Sequence, residues 1–271
     1  MNVAIPSRTQ AERADLTRSR IFEAAIREFS ENGLAGARTE RIAVAAGVNK
    51  ALLYYYFRSK NTLYSAALEQ VASRVAASTM AVLDSACSSG EKMLRMALNH
   101  FDRIYSQPAF QTLLQQEMVR MRKGEADALS PLVEMLFRPM ADKLMGVAAE
   151  GIRCGELIRV EPSQMIYATV GPNVFYFLSA PMMRLIGEMN VLDPTALAFR
   201  RRAAVEFLAQ AIFIDRARGA RLAVQVLADT PMPTVSALPK PEVQTGVSPS
   251  PRWLQSNIEV GQTSASEVRK K

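Results

Sequence analysis

Histidine and cysteine are nearly missing from this 271-residue chain, which holds one histidine, His100, and two cysteines, Cys87 and Cys154. One imidazole cannot build a His-based zinc cluster, and neither cysteine has a CxxC partner, so no metal site is expected. Two thiols make no disulfide framework and imply a reducing compartment. The same shortage removes most nucleophilic chemistry: no nucleophile–histidine pair can be assigned, and there is no Gly-rich phosphate loop. No cofactor is expected either. Aromatic residues are scarce at 7% and β-branched runs are rare, while alanine and leucine are plentiful. An all-α chain is the natural reading.

Long apolar runs are also lacking. The first twenty residues hold Arg8, Glu12, Arg13, Asp15, Arg18 and Arg20, so no secretory signal peptide is read there and a cytoplasmic location is expected. The stretch between Glu161 and Arg184 carries no formal charge and is long enough to span a bilayer. Gln164, Thr169, Asn173 and Ser179 are polar, however, and Pro172 and Pro181 interrupt it. No membrane span is expected, and an apolar helix of this kind is read as a partner interface.

What is present is a hydrophobic fraction of 49%, enough for a real core, and a formal charge of +7 that is unevenly spread. Residues 1–64 carry ten Lys/Arg against six Asp/Glu, residues 65–230 eighteen against seventeen, and the remainder five against three. The surplus at the N-terminal end has the sign that a phosphate-binding surface needs, though such a surplus on 64 residues is also ordinary.

The most informative stretch is residues 39–60, TERIAVAAGVNKALLYYYFRSK. Thr39 is read as a side-chain N-cap. Ile42 and Ala45 form the inner face of a short helix, with Glu40 and Arg41 outward. Gly47 stands where the chain goes left-handed after a helix end, and Asn49 caps a second helix from Lys50 to about Phe57. Leu53 and Phe57 can pack back on the first helix, and alanines 43, 45 and 46 allow close approach. A helix, a glycine turn and a second helix with a polar N-terminal end is the helix-turn-helix pattern. Ile21, Ala25 and Phe29 mark a supporting helix over residues 17–32 that ends at Gly33.

Together these pieces resemble the DNA-binding domain of the tetracycline-repressor (TetR) family. The resemblance covers residues 20–63: Ile21-Phe22-Glu23-Ala24-Ala25 with Phe29 and Gly33, then Thr39, Ile42-Ala43, Ala46-Gly47-Val48, Leu53-Tyr54, Tyr56-Phe57 and Ser59-Lys60 with Leu63. Asn49 departs from the Ser or Thr usual in the family. The implied fold is all-α: an N-terminal three-helix helix-turn-helix domain followed by a helical-bundle domain for ligand binding and dimerisation. The expected divisions are a loose basic arm at 1–16, the DNA-binding domain at 17–64, the effector and dimerisation domain at 65–230, and a disordered Pro/Ser-rich tail at 231–271 with Trp253-Leu254 docking locally.

Chemistry and resemblance assign the interface residue by residue. A recognition helix presents its N-terminal residues to base edges in the major groove. Lys50 can donate to guanine, and Ala51 or Leu52 can meet a thymine methyl. By resemblance Tyr54, Tyr56 and Lys60 match positions that touch phosphate, and Thr39 and Arg41 match positions that meet backbone or bases; Asn49 opens the recognition helix. Tyr55 is read as part of a hydrophobic cluster. Arg8, Arg13 and Arg18 could reach DNA, or belong to a frayed terminus.

Beyond residue 60, Ser59 caps a fourth helix to about Leu83. A fifth follows over 91–105, a sixth over 108–122, and a seventh from Pro131 to about Cys154. By resemblance, the last long helices, 162–188 and 194–218, form a four-helix bundle with a second copy. Val174, Phe177, Phe199, Ala203, Phe207 and Ala211 are the expected interface residues, and Arg200-Arg201-Arg202 is read as a solvated face. The resemblance also implies a small-molecule effector pocket, with His100, Phe101, Tyr105, Phe110, Gln116, Glu117, Asn173 and Tyr176 as candidates. Asn173 either bonds a backbone carbonyl or a ligand.

The expected function is a homodimeric DNA-binding transcription regulator, a repressor that leaves its double-stranded operator when an effector binds. Two other readings stand beside it. One is a helical enzyme or binding protein that keeps the motif as scaffold, and the other is a protein that coats DNA without sequence preference.

Overall fold

The computed structural model describes residues 9–125, 128–187 and 190–234. Among these the elements are helical, with one isolated antiparallel bridge between Leu157 and Phe213. In chain order they are α1 (Gln10–Gly36), α2 (Thr39–Ala46), α3 (Lys50–Phe57), α4 (Lys60–Leu83), α5 (Ser89–Ser106) and α6 (Pro108–Arg122). Then come α7 (Ser130–Leu132), a π-helical turn (Val133–Phe137), α8 (Arg138–Arg153), α9 (Pro162–Gly187), α10 (Pro194–Ile212) and α11 (Arg216–Asp229). Two compact units divide the described residues: those of 9–88 with 103–150, and those of 89–102 with 151–234.

The first unit is built on the apolar side of α1. Ile21, Ala25 and Phe29 are wholly buried at helical spacing, together with Ile42, Leu53, Leu63 and Leu68. Two aromatic pairs pin the contacts edge to face: Phe22 to Phe57 at 5.2 Å and Phe29 to Tyr64 at 5.0 Å between ring centroids. Three boundaries differ from expectation. Residues 10–16 are not a loose arm but the first turns of α1, because Thr9 and Glu12 form a reciprocal capping box; Arg8 lies outside the described residues. At the other end Gly33, at φ 64, turns the chain within α1. The expected seventh helix is broken by the π-helical turn, where the Arg138 N–H bonds Val133 O. Pro139 follows at once and has no N–H with which to continue the regular ladder.

In the second unit Phe213 is the pivot. α10 ends at Ile212 rather than near residue 218, since Phe213 takes an extended conformation (φ −85, ψ 139) and Asp215 caps a separate helix, α11. The extended residues bond across to the α8–α9 connection, Ile158 N to Ile212 O at 2.9 Å and Ile214 N to Glu156 O at 3.1 Å. Glu156, itself buried, accepts from Gly90 N at 2.9 Å and Arg218 Nη2 at 3.0 Å. The triple arginine is not a uniform solvated face. Arg202 is exposed and Arg200 half-buried, whereas Arg201 is buried and grips Asp102 with two bonds of 2.7 and 2.8 Å. That fork-to-carboxylate geometry is what arginine makes best. Residues 235–271, with Trp253-Leu254, lie outside the described residues.

Candidate nucleic-acid interface

The helix-turn-helix closes as its residues dictate. Gly47 adopts φ 65, ψ 37, and Asn49 accepts the Leu52 N–H at 2.7 Å as the cap of α3. Ser59 likewise caps α4 through Thr62 N at 3.1 Å. Between α3 and α4 stands Arg58, the single non-glycine with positive φ among the described residues (φ 53, ψ −41).

Thr39 does not act as the cap of α2. Arg38 holds that position, and its N–H is met by the Glu28 carboxylate of α1 at 2.9 Å. A buried glutamate there satisfies an orphan donor and complements the positive end of the helix dipole. Thr39 is buried, and its hydroxyl lies 3.2 Å from the Tyr54 hydroxyl. The inner face of α2 is Ile42, Ala43 and Ala46, while Ala45 is exposed, one helical step outside the stripe expected for it.

Along α3, Leu53 and Phe57 are buried and Lys50, Ala51 and Leu52 face outward. Tyr54 and Tyr56 are half-buried against the core, and Tyr55 is 80% exposed. The expectation that Tyr55 joins a hydrophobic cluster is therefore reversed. At 100° per residue, Tyr55 lies opposite the Leu53–Phe57 stripe and its neighbours flank it. Lys50 is ion-paired with Glu40, and its ammonium lies 5.8 Å from the centre of the Tyr54 ring. The pairing holds the Glu40 carboxyl below its ordinary range and Lys50 above its own. Arg41 is exposed on α2. Lys60 bends back to donate to Ala35 O at 3.2 Å and Ala37 O at 3.3 Å, tying the α1–α2 link to α4.

The effector candidates are divided between the two units. Tyr105, Phe110, Gln116 and Glu117 belong to the first unit, His100, Phe101, Asn173 and Tyr176 to the second. Glu117 is fully buried and bonds Tyr64 Oη and Arg120 Nη1, while Gln116 Nε2 reaches Ser30 O at 2.8 Å. Burial, then the Glu117 carboxylate, pushes the Tyr64 hydroxyl well above the ordinary tyrosine value, so it remains a donor. Phe110 lies under the Arg74 guanidinium at 5.3 Å. In the second unit His100 is buried, and Asn173 donates to Ala97 O at 3.0 Å, the carbonyl-bonded alternative. Phe101 packs on Phe177 at 5.1 Å and on Tyr176 at 6.4 Å between ring centroids. Phe177, expected at a dimer interface, thus turns inward, and Val174 is half-buried. The outward positions of α9 belong to Phe175, Leu178, Leu185 and Ile186; on α10 Phe199, Phe207 and Ala211 are exposed and Ala203 is half-buried.

Among the described residues no helix is long and apolar enough to cross a membrane, and no group of His, Cys, Asp and Glu could hold a metal ion.

Comparison with known proteins adds the following. The family described as "Bacterial regulatory proteins, tetR family" matches residues 21–67, and "Tetracyclin repressor-like, C-terminal domain" matches residues 90–208. An HTH-type transcriptional repressor of Streptomyces coelicolor is 48% identical over 56 residues, 21% of this chain and 29% of that protein. The HTH-type transcriptional regulator RutR of Escherichia coli is 28% identical over 175 residues, 64% of this chain and 79% of its own length. The crystal structure of a gamma-butyrolactone receptor (ArpA-like protein) superimposes with a TM-score of 0.58 at 19% identity, over 80% of this chain and 99% of the receptor. At that identity the likeness speaks for the fold. The N-terminal and C-terminal halves of the pattern stand in order along a helical chain with a closed helix-turn-helix, and the chain belongs to the TetR family of bacterial regulatory proteins.

Proposed function

We propose that this chain is a sequence-specific DNA-binding transcription regulator, a cytoplasmic homodimer without enzymatic activity that represses and is released from its operator by a small molecule. The observation that carries the reading is the division of α3: Leu53 and Phe57 anchor one side, leaving Lys50, Ala51 and Leu52 facing solvent at the end a recognition helix uses, with Tyr55 outward further along. Arg41 adds an exposed cation on α2, and Asn49 holds the start of α3. Tyr54, Tyr56 and Thr39 support this face from within, and Lys60 fixes the α1–α2 link behind it.

Dimerisation is supported by the outward apolar residues of α9 and α10, Phe175, Leu178, Leu185 and Phe207, each more than three-fifths exposed. Surfaces of that kind are covered by partners. Two recognition helices a half-site apart, roughly 34 Å on B-DNA, tolerate little change in separation. An effector acts by preferring one of two dimer geometries, and shifts operator affinity only by that preference.

The test is an anisotropy titration of the full chain against DNA upstream of its own gene, at two salt concentrations, with scrambled DNA as competitor. Specific binding weakened by salt is expected. Equal affinity for scrambled DNA would reduce the chain to a non-specific binder, and no binding at low salt would end the reading.

A further inference from the structure

We infer that the unit of residues 89–102 and 151–234 binds a small organic monocarboxylate between α9 and α10, with Arg200 as the cation that holds it. The inference rests on the reading of the chain as a ligand-released regulator and names the chemical class of that ligand.

A cavity of about 260 Å³ is walled by Ala97, Ala168, Ala204 and Leu208, with Thr169, Asn173 and Arg200 among its polar residues. Thr169 Oγ1 donates to Met165 O at 2.7 Å, and Asn173 commits one of its two Nδ2 donors to Ala97 O at 3.0 Å. Arg200 has more donors to spare. Its guanidinium stacks 5.4 Å from the centre of the Tyr176 ring, Nη2 makes one long bond of 3.3 Å to Pro172 O, and Nε is buried without a partner. A guanidinium has five N–H donors in a planar fork, and most of this fork is unused among the described residues. Partial burial holds it below its ordinary pKa.

The fork matches a carboxylate, and charge-assisted bonds of that kind are the strong ones. The rest of the wall is alanine and leucine with Pro172 and, at its outer side, the exposed Phe207, which fits a hydrocarbon or ring. An apolar cavity of about 150 Å³ holds benzene, so this one takes a single-ring or medium-chain acid. One cation in an apolar wall balances one negative charge, which disfavours phosphate esters.

Calorimetric titration of the full chain with sodium benzoate and sodium hexanoate, beside benzamide and hexanamide, tests this directly. At least one acid is expected to bind about tenfold or more tightly than its amide. Arg200→Met should remove that preference, Arg200→Lys should restore part of it, and Ala204→Leu should block acid and amide alike by filling the cavity. Circular dichroism melts establish that each variant is folded; should Arg200→Met not fold, Ala204→Leu and the acid–amide ratio still decide. Equal binding of acid and amide, unchanged acid binding by folded Arg200→Met, or no binding of either acid at millimolar concentration overturns the proposal. An operator titration without ligand separates the two readings. Intact operator binding with no acid binding sinks the carboxylate site alone, whereas acid binding without operator binding sinks the regulator and leaves the site standing.

Discussion

Thr39 at the start of α2 and Tyr54 in the middle of α3 meet hydroxyl to hydroxyl at 3.2 Å. Both are positions where the family resemblance implies contact with DNA, yet in the free protein each is the other's partner. The bond ties the two helices of the motif together beside the pair that Lys50 makes with Glu40.

Tyr54→Phe keeps the ring packing and deletes the bond, leaving the buried Thr39 hydroxyl with only a long contact to Glu40. The chain should lose about 0.5–1.5 kcal/mol of stability in urea denaturation, and operator affinity should fall less than it does for Lys50→Ala. A larger affinity loss for Tyr54→Phe would make Tyr54 a direct DNA contact.

Glu40 neutralises Lys50 at the proposed reading face. Glu40→Gln should leave the melting temperature unchanged, because both partners are exposed, and should raise operator affinity a few-fold at low salt, because an anion is removed from beside phosphates. Lys50→Ala should weaken operator binding between about fivefold and a hundredfold. Anisotropy at two salt concentrations checks both.

Two glycines in helices should respond oppositely to alanine. A Cβ on Gly219 would lie 2.9 Å from Ala209 O and from Phe213 Cγ, whereas one on Gly146 meets nothing within 4 Å. Helix propensity favours alanine by about 1 kcal/mol in either case. Overpacking against a backbone carbonyl costs about 1–3 kcal/mol and should win at Gly219. Gly146→Ala should therefore raise the melting temperature and Gly219→Ala lower it.

Asp102 and Arg201 form a buried pair, and burial holds the Asp102 carboxyl above its ordinary value despite the opposing pull of Arg201. A raised folded-state value means the folded chain binds that proton more readily than the unfolded one. The contribution to stability is therefore full below the ordinary carboxylate pKa and fades as pH rises through the folded value. Arg201→Met removes the opposing pull, so the value rises further. Stability should drop by about 3–5 kcal/mol near neutrality and decline more steeply with pH than in the unaltered protein. Adding Asp102→Asn to Arg201→Met should flatten that slope, which denaturation at several pH values would reveal.

Local signals in the sequence carried the helix-turn-helix well. Gly47, Asn49 and Ser59 act through their own backbone or a neighbour three residues on, so a reader of the chain can place them. Tyr55 was open to the same reading, since helical rotation alone separates it from Leu53 and Phe57. Glu28 was not, because the N–H it caps lies ten residues away and no local pattern joins the two. Arg201 hides in a charged triplet, and only its long-range partner Asp102, 99 residues distant, shows that it is a buried strut. The effector candidates failed to gather in one unit for a related reason: helical period tells which face is apolar, not which other helix covers it.

Arg58 joins α3 to α4 with a positive φ that an arginine resists. The joint is held from both sides, by the Arg58 N–H on the Tyr54 carbonyl and by the Ser59 cap. In the proposed regulator, a tilt of α4 would therefore be handed to α3 as rotation of one piece rather than absorbed at the joint, and the proposed recognition helix would follow the helix behind it.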